Sequence, residues 1–296
     1  MSDILQLSDS QKRLYEKIHS KLSDVLNSFY ENHKDSSYSI LLSGGYDSRY
    51  VLYLAEELNI PISCCYTFSL ENKLSTDALL ARDVCAKENV PCKIISLPTD
   101  DFEIIHIMKT LAKDYDCKTK TDFECTYPLY CVYEKIEEDV VLTGTDSDCY
   151  FGLGKKYALH YKNLEDGLTK FTYDMFNGNS NGQIYQRKLL SDKYNKISFD
   201  PFYQYEVRDV FKNTTWEELN VPYKKGPLYT PFADKFDDIK PYRSSYQCGD
   251  SGIRELCSEV LLNSNYNVNG RYKSVVGCYN EIVRRVKHDR STSKLF

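Results

Sequence analysis

The amino-acid sequence predicts a doubly wound α/β fold, in which a mostly parallel sheet is followed by a largely helical C-terminal part. Three observations support this. Strands are predicted from four short apolar runs, at residues 39–42, 60–70, 92–97 and 139–144. Amphipathic segments lie between them, at residues 49–58, 76–88 and 101–113. Strands that alternate with helices are typical of a parallel sheet. Helical periodicity returns near the C-terminus, at residues 251–262 and 274–286.

A long amphipathic helix is expected over residues 11–33, before the first strand. Either Ser8 or Ser10 can cap its N-terminus. Its apolar residues fall on one face at helical spacing: Leu14, Ile18, Leu22, Val25, Leu26 and Phe29.

The alternation loosens after residue 162. The segments "NGNSNGQIY" and "VPYKKGPLYTPF" are typical of loops and turns. We therefore expect residues 1–162 to form an α/β core with its N-terminal helix. Residues 163–296 are expected to form a mainly helical region that packs as part of the same domain.

Composition limits the class of protein. The formal net charge of the 296 residues is −5, and a nucleic-acid partner is unlikely without a basic face. The 11 cysteines are scattered without metal-ligand spacing, which favours free, reduced thiols. The N-terminus does not resemble a signal peptide, and no apolar run is long enough to span a membrane. These features predict a cytoplasmic protein.

The loop after the first strand carries the strongest functional signal. It reads Ser43, Gly44, Gly45, Tyr46, Asp47 and Ser48. Glycines allow an anion to approach the backbone, and helix N-termini attract phosphate. Asp47 would repel a bare phosphate, but it fits a site that also holds a divalent cation such as Mg²⁺. A simple capped strand–helix turn is the alternative explanation for the loop alone.

This loop is neither a Walker A motif nor a dinucleotide fingerprint. It resembles the SGGxDS motif of the PP-loop (N-type) ATP pyrophosphatases. The resemblance implies an adenine nucleotide alpha hydrolase-like fold. It also implies cleavage of ATP between the α and β phosphates, adenylation of a substrate oxygen, and displacement of AMP by a nucleophile.

Three further segments resemble the synthetase domain of asparagine synthetase: the helix before the motif, residues 64–97, and "VLTGTDSDCYFGLG". The last is similar to the second signature of that family and includes Gly144. Asp148 within it could share Mg²⁺ with Asp47, because both follow apolar strands of a parallel sheet. By the same resemblance, Phe68 and Ser69 lie where the end of a strand meets adenine.

The sequence departs from this family at several positions. Thr145 stands where the family has a glutamate, and Asp146 is a possible substitute. Cys149 replaces an acidic residue. A buried structural thiol is the favoured interpretation, and a nucleophile with a lowered pKa is the alternative. No glutaminase domain is recognisable, so nitrogen would come from ammonia, an amine substrate, an intramolecular nucleophile or a separate glutamine amidotransferase.

The family stabilises pyrophosphate with cations, and Arg254 is the first choice for this role. The other candidates are Lys155, Lys156, Arg243 and Arg49. A solvated surface charge is the alternative for each of these cations. The combined features predict an ATP- and Mg²⁺-dependent carbon–nitrogen ligase that acts on a small molecule carrying a carboxylate or amide. The alternatives are a catalytically altered adenine-nucleotide-binding protein, and a nucleobase- or tRNA-modifying PP-loop enzyme.

Overall fold

A parallel five-stranded sheet forms the centre of the molecule. The computed structural model describes residues 7–177, 182–241, 250–267 and 274–292. The strands are β1 (Tyr38–Leu41), β2 (Ile62–Leu70), β3 (Cys92–Leu97), β4 (Val140–Leu142) and β5 (Ile197–Phe199). Their order across the sheet is β3-β2-β1-β4-β5, and every neighbouring pair is parallel. The predicted α/β class is confirmed.

Fifteen α-helices lie within the described residues. Those before β5 are α1 (Asp9–Glu31), α2 (Tyr46–Glu57), α3 (Thr76–Lys87), α4 (Asp101–Asp114), α5 (Lys120–Tyr133), α6 (Asp148–Phe151), α7 (Lys155–His160), α8 (Gly167–Asn177) and α9 (Gly182–Lys193). Those after it are α10 (Tyr205–Phe211), α11 (Trp216–Asn220), α12 (Gly226–Tyr229), α13 (Ala233–Asp238), α14 (Ile253–Asn263) and α15 (Val275–Thr292).

Helices cover both faces of the sheet. Apolar residues of α1, α2 and α3 form one buried cluster, and those of α4, α5, α14 and α15 contribute to the other. Ser8 caps α1 and forms a reciprocal capping box with Gln11. Among the predicted apolar residues of α1, Ile18, Leu22 and Leu26 are fully buried. The amphipathic N-terminal helix is therefore confirmed.

Helix α5 and strand β5 are among the elements that were not predicted. Helix α5 lacks an apolar stripe, because residues 123–128 are all buried, including Glu124 and Pro128. Strand β5 is only three residues long, and it extends the sheet beyond residue 162, where a mainly helical region was expected.

The two predicted loops also contain helical structure. Residues 182–185 of "NGNSNGQIY" belong to α9, and residues 178–181 lie outside the described part of the chain. Within "VPYKKGPLYTPF", α12 is followed by a short 3-10 helix, Thr230–Phe232. Propensity favoured turns here because glycine and proline are frequent, but Pro227 and Pro231 lie in first turns, where proline is tolerated.

No helix in the described ranges is long and apolar enough to cross a membrane. All ten cysteines within those ranges are free thiols.

Candidate nucleotide-binding site

The sheet order places the loop 43–48 and the loop 143–148 side by side. Strands β1 and β4 are neighbours, yet the chain winds from β1 through β2 and β3 before it returns to β4. The order therefore reverses between β1 and β4, and ligands of open α/β sheets bind at such a switch point, at the carboxyl ends of the strands. The loop 43–48 follows β1, and the loop 143–148 follows β4.

Gly144 packs directly against the first loop. A Cβ atom at this position would lie 2.6 Å from the carbonyl carbon and oxygen of Asp47, and 2.9 Å from the amide nitrogen of Ser48. The predicted glycine is thus where the backbones of the two loops meet.

Alanine at Gly144 should separate the two loops. We expect a loss of about 1–3 kcal/mol in the free energy of unfolding, typical of an overpacked site, together with weaker nucleotide binding. Chemical denaturation and calorimetric titration with ATP would measure the two effects. Gly154→Ala is the matched control, because a Cβ at Gly154 has no neighbour within 4 Å. Equal stability of the two variants would contradict the close packing.

The first loop is held by its own side chains. The amide of Ser43 donates to Oγ of Ser48 (2.9 Å), and the two hydroxyls are also 2.9 Å apart. The amide of Gly45 donates to Oγ of Ser43 at 3.2 Å. Helix α2 then begins at Tyr46 with no side-chain cap. The first turn of α2 therefore offers backbone N–H groups to an anion.

A carboxylate from α3 contacts the same loop. The amide of Gly44 donates to Oδ1 of Asp77 at 2.9 Å. Burial raises the pKa of Asp77 to about 6, although the Gly44 N–H opposes the shift. Asp77 lies in the segment 64–97, and the sequence analysis assigned it no role. In the structure it positions Gly44.

Asp47 and Asp148 come together on one lysine. Nζ of Lys225 lies 2.5 and 2.6 Å from the two carboxylate oxygens of Asp47, and 2.6 Å from Oδ1 of Asp148. Oγ of Ser147 is 3.5 Å away. The Lys225 side chain is 7% exposed, whereas those of Asp47 and Asp148 are 26% and 69% exposed. The carboxylates therefore face the open side of the site and the lysine lies beneath them.

The backbone around Lys225 is well anchored. Lys225 has a left-handed conformation (φ 55°), and its amide donates to Oδ1 of Asn220 at 3.3 Å. The side-chain amide of Asn220 in turn donates to the carbonyl oxygens of Phe151 and Trp216. A Cβ at Gly226 would lie 2.3 Å from the hydroxyl oxygen of Tyr15 in α1. Lys225 is thus fixed between α1 and α6.

The charged groups of Lys225, Asp47 and Asp148 shift one another's pKa values. Burial disfavours the charge of Lys225, but the carboxylates of Asp148 and Asp47 raise its pKa above the usual value. Lys225 lowers the pKa of Asp148. Burial raises the pKa of Asp47, and Lys225 opposes that shift. The lysine is therefore charged at neutral pH, and the cluster can carry one net negative charge.

The cluster does not fit a divalent ion bridging the two carboxylates in the arrangement observed. Mg²⁺ requires oxygen ligands at about 2.1 Å, and the point shared by Asp47 and Asp148 is occupied by the ammonium group of Lys225. Within the described residues there is no group of three or more His, Cys, Asp or Glu side chains that could hold a metal.

The second loop contains a buried ionic cluster behind the site. Nη2 of Arg187 donates to Oδ2 of Asp146 at 2.5 Å, and Nη1 donates to Oγ1 of Thr143 at 3.2 Å. Oδ2 of Asp200 accepts from the Thr143 hydroxyl at 2.8 Å and from the Asp146 amide at 3.1 Å. Asp146 therefore anchors the loop to α9 and to Asp200, the residue after β5, while Thr145 is exposed.

Asp200 should make the stability of the protein depend on pH. Burial and the charge of Asp146 raise its pKa to about 7, against the effect of Arg187. Because its unfolded pKa is about 3.9, the folded state binds more protons between these values. The contribution is fully present below pH ~4 and is lost as pH rises through about 7, with a slope of at most about 1.4 kcal/mol per pH unit.

Urea denaturation at several pH values would measure this effect. Asp200→Asn should flatten the profile relative to the wild type, whereas Asp192→Asn, on the exposed face of α9, should leave it unchanged. Parallel profiles for the wild type and Asp200→Asn would contradict the assignment.

Three other residues predicted to bind the nucleotide are Tyr46, Phe68 and Ser69. Tyr46 is partly buried and packs against Phe236 with ring centroids 5.1 Å apart. Phe68 is partly buried near the end of β2. The hydroxyl of Ser69 donates to the Lys73 carbonyl and accepts from the Ser75 amide, so it holds the turn that leads into α3.

The candidate cations are dispersed. Arg254 is exposed in the first turn of α14, and nearby Gly252 packs against Leu70 at the end of β2. Lys155 and Lys156 are exposed at the start of α7, and Arg243 lies outside the described residues.

Arg49 is neither at a phosphate site nor solvated, contrary to both expectations. It is fully buried, donates to the hydroxyl of Tyr53 and the carbonyl of Lys235, and packs on Phe236. Its place in the second turn of α2 directs it into the core.

Cys149 is buried, and burial raises the pKa of its thiol. This environment favours the neutral thiol over a reactive thiolate.

A glycine-rich loop followed by an uncapped helix, at the switch point of a parallel sheet, is the arrangement expected of a PP-loop protein. The family model for asparagine synthase matches residues 30–226, which is more than half of the chain. The chain belongs to the asparagine synthase family.

Solved structures show more distant likenesses. An NH3-dependent NAD synthetase from Campylobacter jejuni, in complex with the nitrate ion, is 20% identical with a TM-score of 0.34; the match covers 70% of this chain and 97% of that chain. A U34-tRNA thiolase from Methanococcus maripaludis, with its [4Fe-4S] cluster, is 16% identical with a TM-score of 0.33; the match covers 94% of this chain and 80% of that chain. No curated protein matches the sequence.

Proposed function

We propose that the protein is an ATP-dependent carbon–nitrogen ligase that forms AMP and pyrophosphate. It adenylates a carboxylate or amide oxygen of a small molecule, and an amine or ammonia then displaces AMP. The observation that carries this proposal is the convergence of Asp47, Asp148 and Lys225 beside the uncapped N-terminus of α2, at the switch point of the sheet.

The phosphates of ATP would lie over the loop 43–48 and the first turn of α2. The substrate oxygen attacks the α-phosphorus, the bond between that phosphorus and the bridging oxygen breaks, and pyrophosphate leaves with the electron pair. The amine then attacks the activated carbon, AMP leaves with the former acceptor oxygen, and the amine proton is lost to solvent. Positioning and charge stabilisation would supply the catalysis, without a protein nucleophile.

The remaining site assignments follow from this placement. Gly44 and Gly45 allow the close approach of phosphate, and Phe68 and Ser69 mark the edge of the adenine site. Arg254 would reach pyrophosphate from the start of α14. Mg²⁺ enters this proposal only as the ion that ATP carries in solution. A separate glutamine amidotransferase is a possible source of ammonia, and the free thiols favour a cytoplasmic location.

A second candidate is an adenine-nucleotide-binding protein that has lost ligase activity. The observation that favours it is the second loop: Thr145 replaces the family glutamate, and Asp146 is buried on Arg187. A thiolating activity has less support, because a nucleophilic cysteine would need a lowered pKa and that of Cys149 is raised. A tRNA-modifying activity has less support because the net charge of −5 does not favour a large RNA substrate.

A pyrophosphate-release screen would separate the two candidates. The protein is incubated with ATP and Mg²⁺, a panel of amino acids and nucleotides, and ammonia. The ligase should release pyrophosphate and AMP only when its acceptor is present. Release of ADP and phosphate would contradict the proposed chemistry, whereas ATP or AMP binding without turnover across the panel would support the second candidate.

A further inference from the structure

The position of Lys225 has a consequence for the metal requirement of the site. Its Nζ contacts three carboxylate oxygens at 2.5 to 2.6 Å and Oγ of Ser147 at 3.5 Å. An ammonium group has three N–H donors and no acceptor. Those donors are satisfied by Asp47, Asp148 and Ser147, so the group is fully coordinated by protein atoms.

We propose that Lys225 is a built-in cation that replaces a divalent metal between Asp47 and Asp148. The protein without nucleotide then has no divalent-cation site at this pair. This inference concerns the same site as the proposed function, but its first test needs neither nucleotide nor turnover.

Lysine and metal exclude each other at this position. A metal on both carboxylates would occupy the point where Nζ now lies, and the two positive charges would repel. To admit it, Lys225 would have to break both ion pairs and remain as a buried, unpaired ammonium, which is strongly unfavourable.

The lysine is held in place for this role. Its side chain is 7% exposed, and Nζ lies 5.4 Å from the centre of the Phe151 ring. The left-handed backbone at Lys225 is unfavourable in a non-glycine residue, and the hydrogen bonds of Asn220 support it. The neighbouring Lys224, by contrast, is exposed.

Electrostatics make one lysine a reasonable replacement for the metal. The ammonium neutralises one of the two carboxylates, and it holds both at the open edge of the site. It supplies a fixed positive charge beneath the place where phosphate oxygens would approach α2, without a loosely bound ion. The divalent ion that accompanies ATP in solution would then contact phosphate oxygens rather than bridge Asp47 and Asp148.

Binding of Mn²⁺, followed by electron paramagnetic resonance in the absence of nucleotide, tests the proposal. The wild-type protein should show no site that depends on Asp148. Lys225→Met keeps the length of the buried stem and removes the charge. It should gain one Mn²⁺ per chain that the wild type does not bind, and the gain should be lost in Lys225→Met/Asp148→Asn. Lys224→Met is the matched control and should gain no site.

Two results would overturn the proposal. One is a stoichiometric Mn²⁺ site in the wild type that Asp148→Asn removes; this comparison remains available if Lys225→Met does not fold, because Asp148 is mostly exposed. The other is a folded Lys225→Met variant that gains no site. ATP titration with EDTA gives a second readout: wild-type binding should persist without divalent metal, and Lys225→Met binding should require it. A protein that binds no ATP would contradict the proposed function but leave the Mn²⁺ result to decide the role of Lys225.

Discussion

Asparagine in place of Asp47 should lower the rate of substrate-dependent pyrophosphate release by about 10²- to 10³-fold, the usual effect of removing one preorganised charge-stabilising group. Both oxygens of Asp47 accept from Lys225, and a neutral amide cannot hold the ammonium in the same way. The variant also has one negative charge fewer beside the phosphates. ATP affinity should therefore be unchanged or tighter, while the turnover rate falls.

A steady-state pyrophosphate assay and a separate ATP titration would show this split. Asp83→Asn is the matched control, because Asp83 forms an exposed pair with Arg82 on α3 and should retain wild-type kinetics. If Asp47→Asn retains more than about a tenth of the wild-type rate, Asp47 is not part of the charge-stabilising group. Loss of ATP binding together with turnover would instead indicate a collapsed loop.

The part of the fold predicted from the sequence is the part with local signals. Strand β3 was predicted with the bounds that the structure has, and α1, α3 and α4 to within a few residues, because apolar periodicity and capping residues mark them. The glycines of the first loop and Gly144 were recognisable because they stand in the two segments that resemble family motifs, and a Cβ at Gly44 or Gly144 would indeed lie within 3 Å of a neighbouring atom. Helix α5 was missed because it is buried on several sides and has no amphipathic pattern.

The centre of the candidate site depends on contacts that no local pattern records. Lys225 lies 178 positions after Asp47, in a segment whose glycine and prolines indicate a turn. Its one available signal was a lysine next to Gly226 and Pro227, which is too common to be specific. Likewise, Arg187 lies in a helix that was predicted as part of a loosely structured region, so the partner of Asp146 could not be inferred.

The expectation that Arg49 contacts phosphate or solvent was wrong, because its charge is buried in the core. An arginine just after a phosphate-binding loop is reasonably expected to contact phosphate or water. Helical geometry nevertheless places it on the inner face of α2, where Tyr53, one turn later, supplies a hydroxyl acceptor. Sequence distance from the loop was therefore a poor guide to the direction of the side chain.

Methionine in place of Arg187 should be the most destabilising single change in the buried cluster. The side chains of Arg187, Asp146 and Asp200 are each less than 10% exposed. Removal of the guanidinium would leave two carboxylates without a buried cation, and the expected loss is about 3–5 kcal/mol in the free energy of unfolding. Chemical denaturation at pH 8 would measure it. Arg82→Met is the control, because Arg82 forms an exposed pair expected to contribute at most about 1 kcal/mol.

The pH dependence of that loss identifies its cause. The pKa of Asp200 is already raised to about 7 by burial and Asp146, and loss of Arg187 would raise it further. At pH 5 a bound proton can then replace the missing positive charge, so the difference between Arg187→Met and the wild type should be smaller than at pH 8. A loss that is equal at both pH values would indicate missing side-chain packing rather than unpaired charge. A loss no greater than that of Arg82→Met would show that the second loop does not depend on this cluster for its position beside Asp47.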